Sequence, residues 1–272
     1  MVRTDSFALI LSLIGGVVLL FIVAPLAGLV LDTPLANLFE VTQDDQVIDS
    51  LWLTLGASLG GTFVCAIFAI PLAYVLARKE FPGKRLVHGI IDLPIVIPHS
   101  AAGIAVLGFI SRDSFFGQMT SSVGLDFVGH PIGISMAMAF VSIPFLINAA
   151  RDGFSSIPIR LEQAAKNLGA NSVRVFFTIS LPLAWRYILS GFIMMFARGL
   201  SEFGAVVIVA YHPMITPVLI YERYTSFGLK YARPVAILFI LVCLVFFIGL
   251  RFLVQNKKEG KNGNGLLKNM TK

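Results

Sequence analysis

Between Asp5 and Asp32 the chain carries no charged residue, and residues 51–77 form a second uncharged stretch of similar length. About 20 consecutive apolar residues are enough to cross the hydrocarbon of a bilayer as a helix. Four more apolar runs follow, at 90–110, 132–150, 186–211 and 234–254. Runs this long, bordered by charge clusters, have no two-residue alternation and so predict helices, not barrel strands. The first run, 7–31, is too long for the apolar part of a signal peptide and lacks a small-x-small cleavage site; it reads as an anchor that stays. Composition agrees: 57% of the residues are apolar and 13% are charged, against about 25% charged in soluble domains. The mean hydropathy is +0.85. An ordinary cytosolic enzyme, a secreted domain and a disordered chain are excluded. The expected fold is all-α, a polytopic membrane bundle of six transmembrane helices. Pro25, Pro71, Pro98 and Pro144 lie within spans and predict kinks.

Basic residues set the orientation. With the N-terminus inside, sixteen of the 21 lysines and arginines fall on the inner side. Arg112, Arg223, Lys230 and Arg233 fall outside, and Arg198 lies within the fifth span. This bias predicts a multi-pass protein of the cell membrane with both termini cytoplasmic. The first outer loop has Asp32, Glu40, Asp44, Asp45 and Asp49 and no base. The net charge of +6 is therefore a topology signal, and nucleic acid is not an expected partner. The tail 255–272, rich in Lys, Asn and Gly, reads as a solvated, disordered end.

The chain carries no nucleotide site of its own. The Pro82-Gly83-Lys84 turn lacks the earlier glycine and the hydroxyl of a phosphate loop, and HExxH does not occur. His88, His99, His130 and His212 are scattered without ligand spacing and read as packing or interfacial residues. Cys65 and Cys243 read as small buried hydrophobes, not as a disulfide or a zinc site. No catalytic residue, metal or cofactor is expected, so energy must come from a partner.

The one large polar segment is 151–185. Ser155-Ser156-Ile157-Pro158 predicts a helix start with serine as the cap and proline at an early position. Leu161, Ala164, Ala165 and Leu168 recur at i, i+3, i+4 and i+7, which makes one apolar face. Gly169 suits the left-handed position that ends a helix. The spacing thus predicts a short amphipathic helix at about 158–169, with Asn171-Ser172 starting a second one. By periodicity alone, that face could pack on its own bundle, lie at the lipid surface or receive a partner.

Glu162-Gln163-Ala164-Ala165-Lys166-Asn167-Leu168-Gly169, followed by Ile179-Ser180-Leu181-Pro182, resembles the signature of the membrane permease subunits of ABC importers. That pattern is Glu-Ala-Ala, three residues, Gly, nine residues, Ile-x-Leu-Pro; Gln163 stands at its glutamate position, just after Glu162. The resemblance covers roughly 47–254. It implies a cytoplasmic coupling helix, with Leu161, Glu162, Gln163, Ala164, Ala165, Leu168, Gly169 and Ala170 docking into a groove of a separate ATP-binding cassette subunit. It divides the chain into an N-terminal helix and outer loop (1–46), a permease core (47–254) and the tail (255–272). It also implies two ATPase subunits, a second permease copy in a homodimer, and an external binding protein.

The fifth run contains Arg198 and Glu202, four apart and able to meet on one helix face. Ionisable residues at membrane depth are costly and are usually functional or paired. The pair either fixes helix packing or, with Ser201, borders the substrate path. The surrounding Phe196-Ala197-Arg198-Gly199-Leu200-Ser201-Glu202-Phe203-Gly204-Ala205 is similar to molybdate, tungstate and sulfate permeases. The later Ala210-Tyr211-His212-Pro213-Met214 is most similar to archaeal tungstate/molybdate permeases. The resemblance implies import of a tetrahedral oxyanion with no covalent chemistry. A sulfate permease is the near rival; an ion-coupled secondary transporter would show inverted repeats, and none is visible.

Overall fold

The computed structural model describes residues 6–255, and all its regular elements are helical. None of Phe7–Leu31, which makes up almost all of α1 (Ser6–Leu31), is buried, as befits an apolar helix turned to lipid. A short α2 (Leu35–Thr42) follows. Asp44 then caps α3 (Asp45–Arg78), accepting the amides of Gln46 and Val47 at 3.0 and 3.3 Å. A carboxylate there also faces the positive end of the helix. Residue 46, where the expected N-terminal segment ends, falls inside the first turn of α3. The α3 helix runs through Pro71 without ending, and it is longer than the apolar run 51–77.

The third span is not the continuous helix expected at 90–110. It is split into α4 (Lys84–Val96) and α5 (His99–Ile110), bent by 112°. Pro98 has no N–H to continue the ladder, and its ring forces Ile97 out of the α region, to φ −71°, ψ 147°. Beyond α6 (Phe115–Ser121), α7 (Pro131–Ser155) extends past the run 132–150 at its C-terminal end.

Next come α8 (Ile159–Asn167), α9 (Ser172–Val175), a π turn at Phe176–Ser180 and α10 (Leu181–Leu200). The fifth span thus starts earlier and ends earlier than 186–211: its helical stretch is Ser172–Leu200. Residues 201–205 are irregular, and α11 (Val206–Val209) is one turn long. There the Glu202 side chain takes the Ala205 amide at 2.8 Å, so it competes with the helical ladder. The chain closes with α12 (Thr216–Phe227) and α13 (Leu229–Gln255). Among the described residues five helices are long and apolar enough to span a membrane, six where the bent α4–α5 pair is counted as one span. The expected disordered tail lies outside the described residues, apart from Gln255.

Helices α3, α7 and α10 form the centre, packed through Ala66, Ala69, Ala73, Ala139, Ala150 and Ala184. In lipid, close backbone approach and interhelical hydrogen bonds replace the hydrophobic drive. Thr54 Oγ1 accepts the Thr216 amide at 2.8 Å, and Ser58 Oγ donates to the Phe196 carbonyl at 2.9 Å; these bonds tie α3 to α12 and to α10.

Candidate functional site

Two polar assemblies stand out in this apolar bundle. The first holds α8. Pro158, not a serine, stands at its N-cap; Ser156 instead closes α7, its amide bonding back to Asp152. At its other end Gly169 is left-handed (φ 88°) as expected. The Gly169 amide returns to Lys166 O at 2.9 Å and the Ala170 amide to Ala165 O at 3.0 Å, which is the paired-bond glycine cap. Asn171 Oδ1 caps the next turn by accepting the Arg174 amide at 2.8 Å.

The helix is mounted with its carboxylate inward and most of its apolar stripe outward. Leu161, Gln163 and Ala164 are exposed, Leu168 is 89% exposed, and Ala165 is half-buried. Packing of the whole stripe on its own bundle is therefore excluded. Glu162, expected among the docking residues, is 5% exposed and faces the bundle. Its Oε1 accepts from Arg78 Nε and from Ser180 Oγ, each at 2.8 Å, and its Oε2 accepts from Tyr74 OH at 3.1 Å. Arg78 also donates to the Ile157 carbonyl at 3.2 Å. One carboxylate thus fastens the end of α3, α8 and the turn leading into α10, beside the Tyr74, Phe154 and Phe176 ring cluster. Burial alone would push the Glu162 carboxyl up. Arg78, Ser180 and Tyr74 together hold it below the ordinary carboxylate range.

The second assembly lies where the two broken spans meet. Arg198, in the last turn of α10, places Nη2 2.9 Å from Glu202 Oε2, so the expected pair forms. Glu202 lies beyond the helix end and is completely buried. Ser201 is exposed; its Oγ accepts from Arg198 Nη1 at 3.3 Å. The sequence reading missed His99. Its Nδ1 is 2.7 Å from Glu202 Oε2, and Arg198 Nη2 is 2.9 Å from its Nε2. A histidine directly after a span-breaking proline was the available signal. The junction is tight: a Cβ on Gly204 would stand 2.7 Å from His99 Cβ, and one on Gly103 would stand 2.8 Å from Ala205 O. Irregular backbone at membrane depth is tolerated where it is buried in protein or lines a watery cavity. By contrast, a groove of about 630 Å³ between α3, α5 and α7, lined by Val64, Cys65, Val106, Phe109 and Ile143 among others, offers an anion no charge.

At the bundle end away from α8, Arg223 Nη2 reaches Asp44 Oδ2 at 2.6 Å. Burial would raise the Asp44 carboxyl, but Arg223 and the Val47 and Gln46 amides bring it below its ordinary value.

Comparison with known proteins agrees with this architecture. The chain is 39% identical to the molybdate/tungstate transport system permease protein of Thermococcus kodakarensis, over 94% of this chain and 99% of that one. It is 43% identical to the protein of the same name from Pyrococcus abyssi, over 82% and 84%. It is 30% identical to the sulfate transport system permease protein of Synechococcus elongatus, over 85% and 84%. Among solved structures, a bacterial ABC transporter involved in the import of alginate superposes with a TM-score of 0.73 at 18% identity, covering 93% of this chain and 96% of that one. Residues 69–259 match the family described as binding-protein-dependent transport system inner membrane component, and the chain belongs to that family of multi-pass membrane proteins.

Proposed function

We propose that this chain is the membrane-spanning permease subunit of an ATP-driven importer that carries molybdate or tungstate into the cell by alternating access. The observation that carries the substrate is the near full-length likeness to molybdate/tungstate permeases at 39%, against 30% for a sulfate permease. In this reading α8 is the coupling helix. Leu161, Gln163, Ala164 and Leu168 present the face that enters the groove of an ATP-binding cassette subunit, and small Ala164 permits close approach. Ala165, Gly169 and Ala170 shape the exit from the helix, and Glu162 acts from behind as its mount.

Two copies of the chain would enclose the path, with two ATPase subunits below and a loaded binding protein above. The basic-residue bias supports a cytoplasmic position for the α8 end and for both termini. Closure of the ATPase pair would bring the coupling helices together and open the path outward; hydrolysis would reset it. Arg198, Ser201 and Glu202 would border the path, and the permease itself performs no covalent step. The test is uptake into proteoliposomes carrying permease, ATPase subunits and binding protein, with tungstate, molybdate and sulfate in competition. ATP-dependent accumulation of tungstate or molybdate ahead of sulfate is expected. Preference for sulfate would overturn the substrate, and uptake driven by an ion gradient without ATP would overturn the transporter class.

A further inference from the structure

A cation cancelled by its own carboxylate makes a poor anion site, and Arg198 lies 2.9 Å from Glu202. His99 removes this difficulty. We infer that His99 is a positioning residue that keeps Glu202 satisfied while Arg198 turns outward to a passing oxyanion. This rests on the path reading given above.

His99 Nδ1 stands 2.7 Å from Glu202 Oε2, where a protonated Nδ1 donates to the carboxylate, and Arg198 Nη2 lies across the ring, 2.8 Å from Nδ1 and 2.9 Å from Nε2. Glu202 Oε1 is held separately by the Ala205 amide at 2.8 Å. The buried carboxylate therefore has three donors, and losing the arginine leaves two in place. Without His99 the same motion would strand a buried carboxylate on one amide, which is costly. The histidine is fixed and the arginine is free to move. His99 starts α5, with its Cβ against Gly204. Arg198 hangs on a long flexible stem from the last turn of α10. Both open outward, with side chains 41% and 24% exposed, whereas that of Glu202 is 1% exposed. The face shown to the opening is thus donor-rich, and a guanidinium suits the planar two-oxygen edge of an oxyanion.

The test uses the complete importer in proteoliposomes, with tungstate as the probe. His99→Phe keeps ring volume and removes the donor; His99→Asn keeps a short N–H donor. Amounts of assembled complex are measured for each. Uptake per assembled complex should fall by roughly tenfold or more in His99→Phe and recover to within about threefold in His99→Asn. Labelling of Arg198 by phenylglyoxal during turnover, mapped by mass spectrometry, should fall in His99→Phe, because the arginine stays locked on Glu202. A merely structural role would loosen the site and raise that labelling. Uptake at the wild-type rate in His99→Phe, equal loss in both variants, or increased Arg198 labelling would each overturn the inference. Failure of the path reading is seen separately: an assembled Arg198→Met importer would then carry tungstate normally, whatever the His99 variants do.

Discussion

The mount of α8 can be tested through Glu162 and Arg78. Glu162→Gln keeps the shape and can still accept from Ser180 and Tyr74, but its amide N–H₂ must face the Arg78 guanidinium. Arg78→Met leaves the buried carboxylate with only two hydroxyl donors. Removing one member of a buried, hydrogen-bonded pair typically costs about 3–5 kcal/mol, while replacing both with neutral groups can be nearly neutral. A helix of nine residues is marginal by itself. The loss should therefore appear as local opening of α8, not as unfolding of the bundle, which is held by α3, α7 and α10.

Trypsin reads this directly, because Arg160 and Lys166 lie in α8 and cleavage needs the helix to open. Three kcal/mol raises the open population by roughly a hundredfold or more, and cleavage follows it when reclosing is fast. Either single change should speed cleavage by that order in solubilised permease. The double change Arg78→Met/Glu162→Gln should return it to within about tenfold of wild type. Wild-type cleavage rates in both single variants would show that the carboxylate does not hold α8. Additive losses in the double variant would show that the two residues act separately.

The pH dependence has a fixed sign: the Glu162 carboxyl is held below its ordinary value, so its contribution is complete above the ordinary carboxylate range and is lost as pH falls through the lowered value. Cleavage of α8 by an acid-active protease should therefore rise only at acid pH, and Glu162→Gln should flatten the profile. Ala164→Glu should abolish co-purification of the ATPase subunits while the permease still inserts; unchanged co-purification would remove α8 from the docking surface. Glu202→Gln should reduce the amount of folded permease, because its amide N–H₂ must face the Arg198 guanidinium, and Arg198→Met/Glu202→Gln should restore it; Arg198→Met alone should cost less, because His99 and the Ala205 amide stay on the carboxylate, and a harmless Glu202→Gln would refute the pairing. Asp44→Ala removes both the α3 cap and the Arg223 contact and should lower the thermal midpoint, the cap alone being worth about 1 kcal/mol.

Much of this architecture was legible because a bilayer demands long apolar runs and little else can hide them. The runs at 7–31, 51–77, 132–150 and 234–254 became helices, each extended at one or both ends by segments whose polar or charged residues, such as Asp45, Arg78, Asp152 and Lys230, interrupt the hydropathy. The two broken spans were misjudged for the same reason. Average hydropathy does not register that Pro98 turns the chain by 112°, or that Glu202 takes a backbone amide and ends α10 two residues earlier. The face of α8 followed from its period, but its sense did not. An apolar stripe ordinarily points inward; here Arg78, Tyr74 and Ser180, distant in sequence, supply an inward pocket for a carboxylate. His99 was missed because its partners lie about a hundred residues away, beyond any local spacing rule.

The two assemblies are joined by one rigid element. The turn at Ser180 receives Glu162 from α8, and α10 then continues unbroken for 20 residues, about 30 Å, to the turn that carries Arg198. Glu202 follows two residues beyond its end, with its amide on the Gly199 carbonyl at 3.0 Å. The carboxylate is bonded to the Ala205 amide, in a segment pressed against α5 through Gly103 and Gly204. The ion pair therefore lies where α10 ends, with its cation on the last turn of α10 and its carboxylate side chain held in the irregular segment that packs on α5. In the proposed coupling, a push on α8 reaches α10 through the Glu162–Ser180 bond as well as along the chain through α9. Tilting a rod of that length by a few degrees moves its far end by an ångström or more, comparable to the margin that separates a hydrogen bond from none. The Arg198–Glu202 contact is thus the place where a movement of α8 would first be felt as a change in charge balance, and His99 stands beside it.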